Sequence, residues 1–560
     1  MPTTETQCRR CQTSFTITEK DQLFYQKVSP KFAEQVFAVP APTLCPQCRE
    51  QQRLLWRNER KLYNRRCDAT QKEIISVHSA DKPYPVYSKD AWWSDNWDSL
   101  SYGIDFDFSQ PFFDHYQELL LRVPRVALYN IDNENSEYNQ CTGALKDCYM
   151  LGGANRNQDC YYGNYVNDCR DCVDTSMVKN CELCYECIEC EQCYNCSFCK
   201  RSNDCQDSQF LVNCYNLKHC FGCVNLTNKE YCLYNQQLTP EAYREKLQHI
   251  DLGSAEVLEK IKPLIAAHQT KFPLRYMTGS HNENVTGNGA FHCKDSLGCF
   301  DVSKLEDCNY CSWLHASKDC MDIFAWGMPA ELCYYSLEIG GGAYQNLFSA
   351  TCSNGKYLYY CFQCYNSSNC FGCTGLKNKS YCIFNKQYTP EAYDSMVAKI
   401  IAHMQTTGEW GEFFPLSLSG FGYNETVAQE LYPLTQEQAS LLNCRWKEEP
   451  TIDTNTTFAQ LPTHTKAATE QTTKELYQCE QCQKGYRIIR QELAFYQKQN
   501  IALPKKCFTC RHQARVNQRN PHRLRKTTCS GCSTAIDTSF PATTQQKILC
   551  ENCYQQEKLS

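Results

Sequence analysis

Apolar and polar positions repeat every third residue between positions 142 and 235. Of the 32 positions counted in threes from Thr142, 16 are cysteine, and the others are nearly all Leu, Val, Ala, Gly, Ser or Thr. No Asp or Glu occupies this column, although several acids directly precede a cysteine: Asp147, Asp159, Asp168, Asp171 and Asp204. A column that admits small or apolar side chains and excludes acids is typical of residues that point into a core.

A period of three is neither the 3.6 of an α-helix nor the 2.0 of a β-strand. It predicts a solenoid whose short sides are separated by corners, or extended segments similar to polyproline II. A second body, residues 290–385, repeats the pattern in two frames, one for the cysteines from Cys293 to Cys320 and another for those from Cys352 to Cys382. We therefore expect a mixed, multi-domain protein with a β-solenoid-like middle, whose coil length the pattern leaves open.

The two bodies are copies of one cassette. The stretch CYNLKHCFGCVNLTNKEYCLYNQQLTPEAY at Cys214 recurs 150 residues later as CYNSSNCFGCTGLKNKSYCIFNKQYTPEAY at Cys364. Each copy ends in a helix start, with Thr239 or Thr389 as the N-cap and a proline at the first helical position. We expect these helices to cap the solenoids and to shield their open edges.

Paired Cys-x2-Cys motifs lie near both ends of the chain. Two such pairs supply four thiolates to one tetrahedral ion, which is the arrangement of structural zinc sites. Because all four ligands are protein thiolates, no position remains for a catalytic water. The sequence predicts three structural Zn²⁺ ions, with ligands Cys8, Cys11, Cys45 and Cys48; Cys479, Cys482, Cys507 and Cys510; and Cys529, Cys532, Cys550 and Cys553.

Arginines follow the second cysteine pair of the first two modules. Residues 1–66 carry 12 Lys or Arg against 6 Asp or Glu, and residues 479–560 carry 14 against 5, whereas the middle carries 31 against 51. The spacing of the first arginines predicts a single helical face behind each zinc site. Arginine binds phosphate bidentately, so we expect nucleic acid to contact Arg49, Arg53, Arg57, Arg60, Arg511, Arg515, Arg519, Arg523 and Arg525. A solvated helix face is the alternative.

The first two modules are alike between their cysteine pairs. QCRRCQTSFTITEKDQLFYQK matches QCEQCQKGYRIIRQELAFYQK, and each continues to TLCPQCR or KCFTCRH. Over about the first 60 residues and residues 477–515, the chain resembles the probable zinc-ribbon family, which implies small treble-clef-like folds.

The segment 58–124 resembles a larger family of uncharacterised bacterial zinc-ribbon proteins with long cysteine-rich bodies. That resemblance implies Cys-x2-Cys pairs at positions 67 and 70 and at 88 and 91, but only Cys67 is a cysteine here. We expect no fourth zinc site, and a fold that persists around three core tryptophans, Trp92, Trp93 and Trp97.

The solenoid cysteines have three possible roles: packing, storage of several metal ions, or ligation of iron–sulfur clusters.

No phosphate-binding loop, dinucleotide fingerprint, HExxH or nucleophile elbow is present, so the chain is not predicted to be an enzyme. With 43 cysteines in a long chain, no signal-like start in MPTTETQCRRC and no run of about 18 apolar residues, we expect a cytoplasmic protein that does not enter membranes.

These observations divide the chain into seven parts. They are a zinc ribbon with a basic helix (1–66), an aromatic-rich segment with a degenerate second zinc site (67–140), two solenoid cassettes (141–280 and 281–449), a Thr-rich flexible linker (450–475), a second zinc ribbon with a basic helix (476–526) and a third zinc ribbon (527–560). The predicted function is a zinc-binding scaffold whose basic ends bind RNA or DNA. A protein-interaction platform and a thiolate metal store are the alternatives.

Overall fold

A computed structural model describes residues 3–324, 331–337, 341–449 and 457–559. The N-terminal module begins with the hairpin β1 (Thr4–Gln7) and β2 (Ser14–Ile17), which pair antiparallel. Helix α1 (Glu19–Val28) follows, with a capping box between Thr18 and Asp21. The short strands β3 (Lys31–Phe32) and β4 (Gln35–Val36) and helix α2 (Pro46–Leu54) complete the module.

A second hairpin-and-helix unit lies between Tyr63 and Trp93. Its elements are β5 (Tyr63–Arg66), β6 (Glu73–Ser76), β7 (Val86–Tyr87) and α3 (Lys89–Trp93), followed by α4 (Phe112–Arg122) and β8 (Arg125–Val126), which pairs parallel with β7. Of the three tryptophans, Trp92 is fully buried and Trp97 partly so, but Trp93 is exposed. The prediction of three core tryptophans is therefore wrong for Trp93.

The first cysteine-rich body is a parallel β-solenoid. Its strands are β9 (Asn130–Ile131), β10 (Thr142–Gly143), β11 (Asn164–Asn167), β12 (Ser176–Lys179), β13 (Ile188–Glu191), β14 (Tyr194–Ser197), β15 (Gln206–Gln209), β16 (Tyr215–Lys218), β17 (Thr227–Glu230), β18 (Cys232–Leu233) and β19 (Gln236–Gln237). Bridges join residues twelve apart, as in Gln140 to Gly152 to Asn164. One coil therefore contains twelve residues in four sides of three, which explains the period of three in the sequence.

The corners of the coil explain why acids precede cysteines. The residue before each inward position has a left-handed backbone, with φ of 52° at Asp147 and Asp159 and 49° at Asp171. Asp and Asn tolerate this conformation better than most residues because their short side chains form local hydrogen bonds. Asp and Asn are therefore frequent at the corners, although Met150 and Tyr162 also occupy them, and the next position points inward.

Cysteine side chains connect successive coils inside the solenoid. The Sγ of Cys184 is placed to donate to the carbonyl of Glu182 at 3.4 Å and to that of Cys193, in the next coil, at 3.6 Å. Inward backbone N–H groups donate to the side chain one coil earlier, as from Cys181 N to Cys169 Sγ at 3.3 Å. Since a buried backbone group needs a partner, small polar side chains suit this column better than purely apolar ones.

Helices α5 (Pro240–Leu247) and α6 (Ala255–Gln269) and strand β20 (Leu274–Arg275) follow the first solenoid. Thr239 caps α5 by accepting from Ala242 N, as predicted. Tyr243 of this helix packs against Tyr231 of the last coil.

The second cassette repeats this architecture. Its strands are β21 (Gly279–Ser280), β22 (Gly287–Phe291), β23 (Cys299–Glu306), β24 (His315–Lys318), β25 (Lys356–Tyr359), β26 (Ser368–Phe371), β27 (Ser380–Ile383) and β28 (Lys386–Gln387). Most bridges again span twelve residues, but Met321 pairs with Tyr334 and Glu331 with Tyr344, thirteen residues apart. These two extra residues account for the change of cysteine frame between Cys320 and Cys352.

The largest apolar core lies outside the solenoid coils. After the second solenoid come α7 (Pro390–Thr407), capped by Thr389, and then α8 (Val427–Leu431) and α9 (Gln436–Leu441). Ile400 of α7, Tyr116 of α4, Phe384 of the solenoid and Phe414 belong to one buried cluster, which also includes Phe24 of the N-terminal module. This cluster joins the module, the second solenoid and the helices into one body.

Residues 457–475, the described part of the predicted linker, are packed, so their prediction as a flexible tether is wrong. Ala459 bridges to Tyr477, and His464 contacts Asp251 at 2.9 Å. Thr465 and Thr472 are buried. These two threonines therefore pack instead of being solvated, although Thr457, Thr463 and Thr469 are exposed, and residues 450–456 lie outside the described residues.

The C-terminal region contains two further hairpin-and-helix modules. The first has β29 (Tyr477–Gln478), β30 (Gly485–Tyr486), α10 (Arg490–Gln499) and α11 (Phe508–Val516), and the second has β31 (Arg525–Thr528), β32 (Ala535–Thr538), β33 (Ile548–Leu549) and α12 (Glu551–Leu559). Strand β33 pairs parallel with β20, between the two cassettes. Among the helices in the described parts of the chain, none has both the length and the apolar character needed to cross a membrane.

Candidate metal centres and the buried arginine layer

The N-terminal module brings its four predicted ligands together. Cys8 and Cys11 lie in the turn between β1 and β2, and Cys45 and Cys48 lie at the start of α2. All four Sγ atoms are within 4.8 Å of one another, and those of Cys11 and Cys45 are 3.7 Å apart. A tetrahedron with metal–sulfur bonds of about 2.3 Å has edges of about 3.8 Å, so this group can hold a metal ion.

The two C-terminal modules form equivalent groups. Cys479 and Cys482 meet Cys507 and Cys510, and the third module brings together Cys529, Cys532, Cys550 and Cys553. In each group one pair of Sγ atoms from the two halves is 3.7 Å apart. All twelve predicted ligands are therefore placed in three four-cysteine groups.

Backbone amides surround the sulfur atoms in these groups. Cys507 N donates to Cys479 Sγ at 3.3 Å, and Cys550 N donates to Cys529 Sγ at 3.2 Å. Burial acts to raise the pKa of Cys479 and of Cys529, but backbone N–H donors, including Cys482 N, outweigh it and lower each pKa to about 6. The local structure thus favours the thiolate, the form that binds a metal, at Cys479 and Cys529, whereas burial raises the pKa of Cys510 in the same group as Cys479.

The unit around Cys67 retains the same geometry with one cysteine. Cys67 follows β5 as Cys479 follows β29, and Ser88 N donates to Cys67 Sγ at 3.2 Å. Thr70 and Ala91 occupy the positions that cysteines hold in the other modules. This unit therefore forms a hairpin and a helix with one cysteine at these four positions.

The arginines after the first metal group are buried, not exposed. Arg49 Nε lies 2.6 Å from Asp322 Oδ2, and Arg53 also pairs with this carboxylate. Arg57 pairs with Glu59. Helix α2 ends at Leu54, so the predicted helical face of four arginines extends beyond the helix. Arg60 also turns inward, to Glu430.

The second set of arginines is buried against the first solenoid. Arg511 and Arg515 pair with Asp174 at 3.1 and 2.8 Å, and Arg519 pairs with Glu189 of the first solenoid and Asp301 of the second. Of the remaining predicted contacts, Arg525 donates to the carbonyl of Phe540, and Arg523 is exposed.

These contacts correct the prediction of an exposed phosphate-binding face. Regular spacing identified a shared face but not what covers it, and carboxylates attract arginine as phosphates do. The anionic partner of the two basic ends is the acidic middle of the same chain. We call the buried set Arg49, Arg53, Arg57, Arg60, Arg511, Arg515 and Arg519, with their carboxylates, the arginine layer.

His522, in the C-terminal region, connects the arginine layer to the N-terminal module and to the second solenoid. Its Nδ1 lies 2.8 Å from Glu50 Oε1 of α2, and its Nε2 lies 3.0 Å from Asp301 Oδ2 of the second solenoid. Burial acts to lower the pKa of His522, but the two carboxylates raise it to about 9. Sequence reasoning did not identify His522 or its acids, because no motif marks residues that meet only in the folded chain.

The solenoid cysteines have a different environment. Burial raises the pKa of Cys214 and of Cys333 to about 12, whereas hydrogen bonds from the neighbouring thiols of Cys193 and Cys199 lower the pKa of Cys196 to about 6. Within the ranges described above, the only groups of three or more His, Cys, Asp or Glu whose ligand atoms lie close enough for a shared metal ion are the three four-cysteine groups.

No protein-family model and no curated protein matches this chain. The resemblance to zinc-ribbon proteins therefore rests on the quoted motifs alone. Any assignment of function has to be argued from the geometry of the metal groups and the arginine layer.

Proposed function

We propose that this protein is a zinc-stabilised scaffold that binds a protein partner. The observation that carries the proposal is the burial of the arginine layer: the segments directly behind two metal groups lie against the solenoids and are paired with their carboxylates. A metal ion that orders the start of α2 or α11 also positions the arginines that follow. The metal-binding modules then hold the terminal regions against the solenoids.

Zinc is the metal that fits these groups best. Four thiolates in tetrahedral geometry are typical of structural zinc, and they leave no open position for water or substrate. The free cysteines throughout the chain fit a reducing compartment such as the cytoplasm.

A protein partner fits the molecule better than nucleic acid. The arginines that could bind phosphates are paired internally, and the middle of the chain carries an excess of acids, which repels nucleic acid. Exposed aromatic side chains such as Tyr194 and Tyr215 lie on the first solenoid, and exposed tyrosines are common in protein interfaces.

Elemental analysis of the purified full-length protein tests the metal part of the proposal. We expect three zinc ions per chain, with none lost on dialysis at neutral pH. Additional tightly bound zinc, copper or iron would make the solenoids a metal store and overturn the scaffold proposal.

Affinity purification of the full-length chain after nuclease treatment tests the partner. We expect one or a few proteins at constant stoichiometry, and retention on neither RNA nor DNA columns at physiological salt. Capture that disappears on nuclease treatment would favour nucleic-acid binding instead.

A further inference from the structure

A cavity of about 300 Å³ lies where the first three coils of the first solenoid meet the second solenoid. The first solenoid contributes a column of residues that are twelve apart in successive coils: Ile131, Gly143 and Asn155. The second solenoid contributes Thr351, Ser353 and Tyr365, and α3 contributes Trp93. We call this cavity the inter-solenoid pocket.

A glycine leaves room in the middle of the column. Gly143 does not have a positive φ, so its backbone conformation does not require glycine. A Cβ at this position would lie 2.7 Å from Asn155 Oδ1, which is too close for two atoms that are not bonded. The amide of Asn155 therefore occupies the space that a side chain at position 143 would fill. Asn155 is half-buried, and its amide makes no hydrogen bond within the described parts of the chain.

Thr351 presents a second polar group to the pocket. The residue is only 7% exposed, yet its Oγ1 bonds to none of the described residues and is not sealed from solvent. Its φ is 55°, and in the described ranges it is the only β-branched residue with a positive φ. That conformation is unfavourable for a β-branched side chain, and residues held in such conformations are frequent at ligand sites.

The remaining wall is apolar and aromatic. The ring centroids of Trp93 and Tyr365 lie 5.0 Å apart, and Val126, Leu128 and Tyr129 extend the apolar surface. Among the described lining residues, none is Asp, Glu, Lys, Arg or His. A pocket of this size with aromatic walls, a few polar groups and no charge favours a small, neutral and planar ligand.

We propose that the inter-solenoid pocket binds a small neutral molecule with a planar heteroaromatic ring, of the class of nucleobases and nucleosides. The amide of Asn155 donates to and accepts from adjacent groups on the ring edge, as asparagine does with adenine. The hydroxyl of Thr351 pairs with a further polar group of the ligand, and the aromatic side chains cover the ring. This inference goes beyond the scaffold function and does not depend on it.

A free nucleoside suits the pocket better than a nucleic-acid strand. Nucleic-acid binding depends strongly on cations that neutralise phosphates, and the described lining residues include none. We therefore expect a 5′-monophosphate to bind no more tightly than the nucleoside itself.

Calorimetric titration of the zinc-loaded full-length protein with adenosine, guanosine, cytidine and uridine is the first experiment. We expect at least one of them to bind as one molecule per chain, with a Kd on the order of 100 µM or lower. Indole, which has no acceptor beside its N–H group, should bind at least tenfold more weakly than the best nucleoside.

Variants of the wall test the contacts. Asn155→Ala should weaken binding about tenfold, and Gly143→Ala should do the same because its methyl group displaces the amide. Asn167, half-buried and twelve residues further along the same column but outside the pocket, is the matched control, and Asn167→Ala should leave the affinity unchanged.

Thr351→Ala separates binding from folding. We expect it to weaken nucleoside binding about threefold without lowering the temperature of thermal unfolding, because alanine is less hindered than threonine at a positive φ.

The thiol of Cys141 gives a readout in the wild-type protein. Cys141 lines the pocket and is the only cysteine outside the three metal groups that is not buried. Iodoacetamide should therefore alkylate it first in the zinc-loaded protein, and the bound nucleoside should slow this reaction at least threefold.

Four results would overturn the assignment. They are no binding of any of the four nucleosides at 1 mM, equal losses for Asn155→Ala and Asn167→Ala, indole binding as tight as that of the best nucleoside, and bound nucleoside that leaves the alkylation of Cys141 unchanged. Tighter binding of a short oligonucleotide than of its nucleoside would also overturn it, in favour of a nucleic-acid strand. None of these results bears on the capture of a protein partner, so the scaffold proposal stands or fails by its own experiments.

Discussion

The molecule uses cysteine in two regions that differ in how the sulfur atoms are grouped. Of the 43 cysteines, 12 form the metal groups, three stand outside both sets (Cys67, Cys141 and Cys444), and the remaining 28 point into the solenoids. In the metal groups, backbone N–H groups donate to sulfur. In the solenoids, sulfur is placed to donate to backbone carbonyls, and the sulfur atoms of Cys169 and Cys373 also accept from a backbone N–H, but no four sulfur atoms of the described residues there meet around one point.

This difference shows that the local backbone fold decides whether four sulfur atoms meet around one ion. Sequence spacing is similar in both regions, since Cys-x2-Cys occurs in each. The conformation of the residues between the cysteines, a knuckle in one case and a corner in the other, separates a metal ligand from a packing group.

The largest expected effect comes from making the same substitution in both regions. Cys479→Ser with Cys482→Ser removes half of one metal group, so we expect two zinc ions per chain instead of three. The free energy of unfolding should fall by roughly 5 kcal/mol or more, because metal binding and folding of such modules are coupled. Elemental analysis and denaturant unfolding measure both quantities.

The matched control is Cys184→Ser with Cys187→Ser in the first solenoid, which should keep three zinc ions. If the solenoid pair loses metal, or the module pair does not, the distinction between the two cysteine classes is wrong.

The arginine layer, where the two regions meet, gives the next largest effect. Asp174→Asn leaves Arg515 buried without a carboxylate, while Arg511 keeps Glu492, and breaking a buried pair in this way costs about 3–5 kcal/mol. Asp132, an exposed corner residue of the first coil, is the control. Asp132→Asn should change the free energy of unfolding by less than about 0.5 kcal/mol. Equal effects would show that the layer contributes little.

The contribution of the same layer to the free energy of unfolding should depend on pH, because His522 titrates. Because the folded-state pKa, about 9, is above the usual value of 6.5, the bound proton stabilises the folded state. That contribution, roughly 3 kcal/mol, is complete below pH 6.5 and is lost as the pH rises through 9. Urea unfolding between pH 6 and 10 measures it, and His522→Gln should remove this pH dependence. A wild-type profile identical to that of the variant would contradict the prediction.

The smallest expected effect tests the packing role of a single solenoid cysteine. Ser208 lies twelve residues after Cys196 in the same column and already donates to the carbonyl of Gln206 at 2.7 Å. Cys196→Ser should therefore cost less than about 1 kcal/mol, whereas Cys196→Leu should cost about 1–3 kcal/mol through overpacking. Thermal unfolding of both variants measures the difference. A large loss for serine would mean that the thiol itself is required.

Much of the fold could be predicted from residue patterns because local geometry repeats. The inward column predicted the solenoid, the paired Cys-x2-Cys motifs predicted the three metal groups, and Thr239 and Thr389 predicted two helix starts. The coil length could not be predicted, since a period of three fits any number of sides. The change of cysteine frame in the second body could not be explained from the sequence, because it depends on the thirteen-residue spacings between paired strands.

The candidate site was less predictable because it depends on contacts between distant residues. The spacing of Arg511 and Arg515 is the same whether the face meets water, phosphate or carboxylate. Asp174 looked like an ordinary acid before an inward position, and nothing local indicates that two arginines cover it. The packing of residues 457–475 was missed for a related reason, since threonine-rich composition does not reveal a partner surface.

Because a coil contains twelve residues, the number of residues in the solenoid also sets its length. Each coil advances the chain by about one strand spacing, 4.8 Å, so the positions of solenoid carboxylates such as Asp174 and Glu189 along the axis depend on the number of coils between them. Gain or loss of twelve residues leaves every side chain in its column. It moves a carboxylate beyond the change by one coil along the solenoid axis. Gain of a single residue instead changes which sequence positions face inward. The number of coils between two solenoid carboxylates therefore sets the distance between the arginines that pair with them.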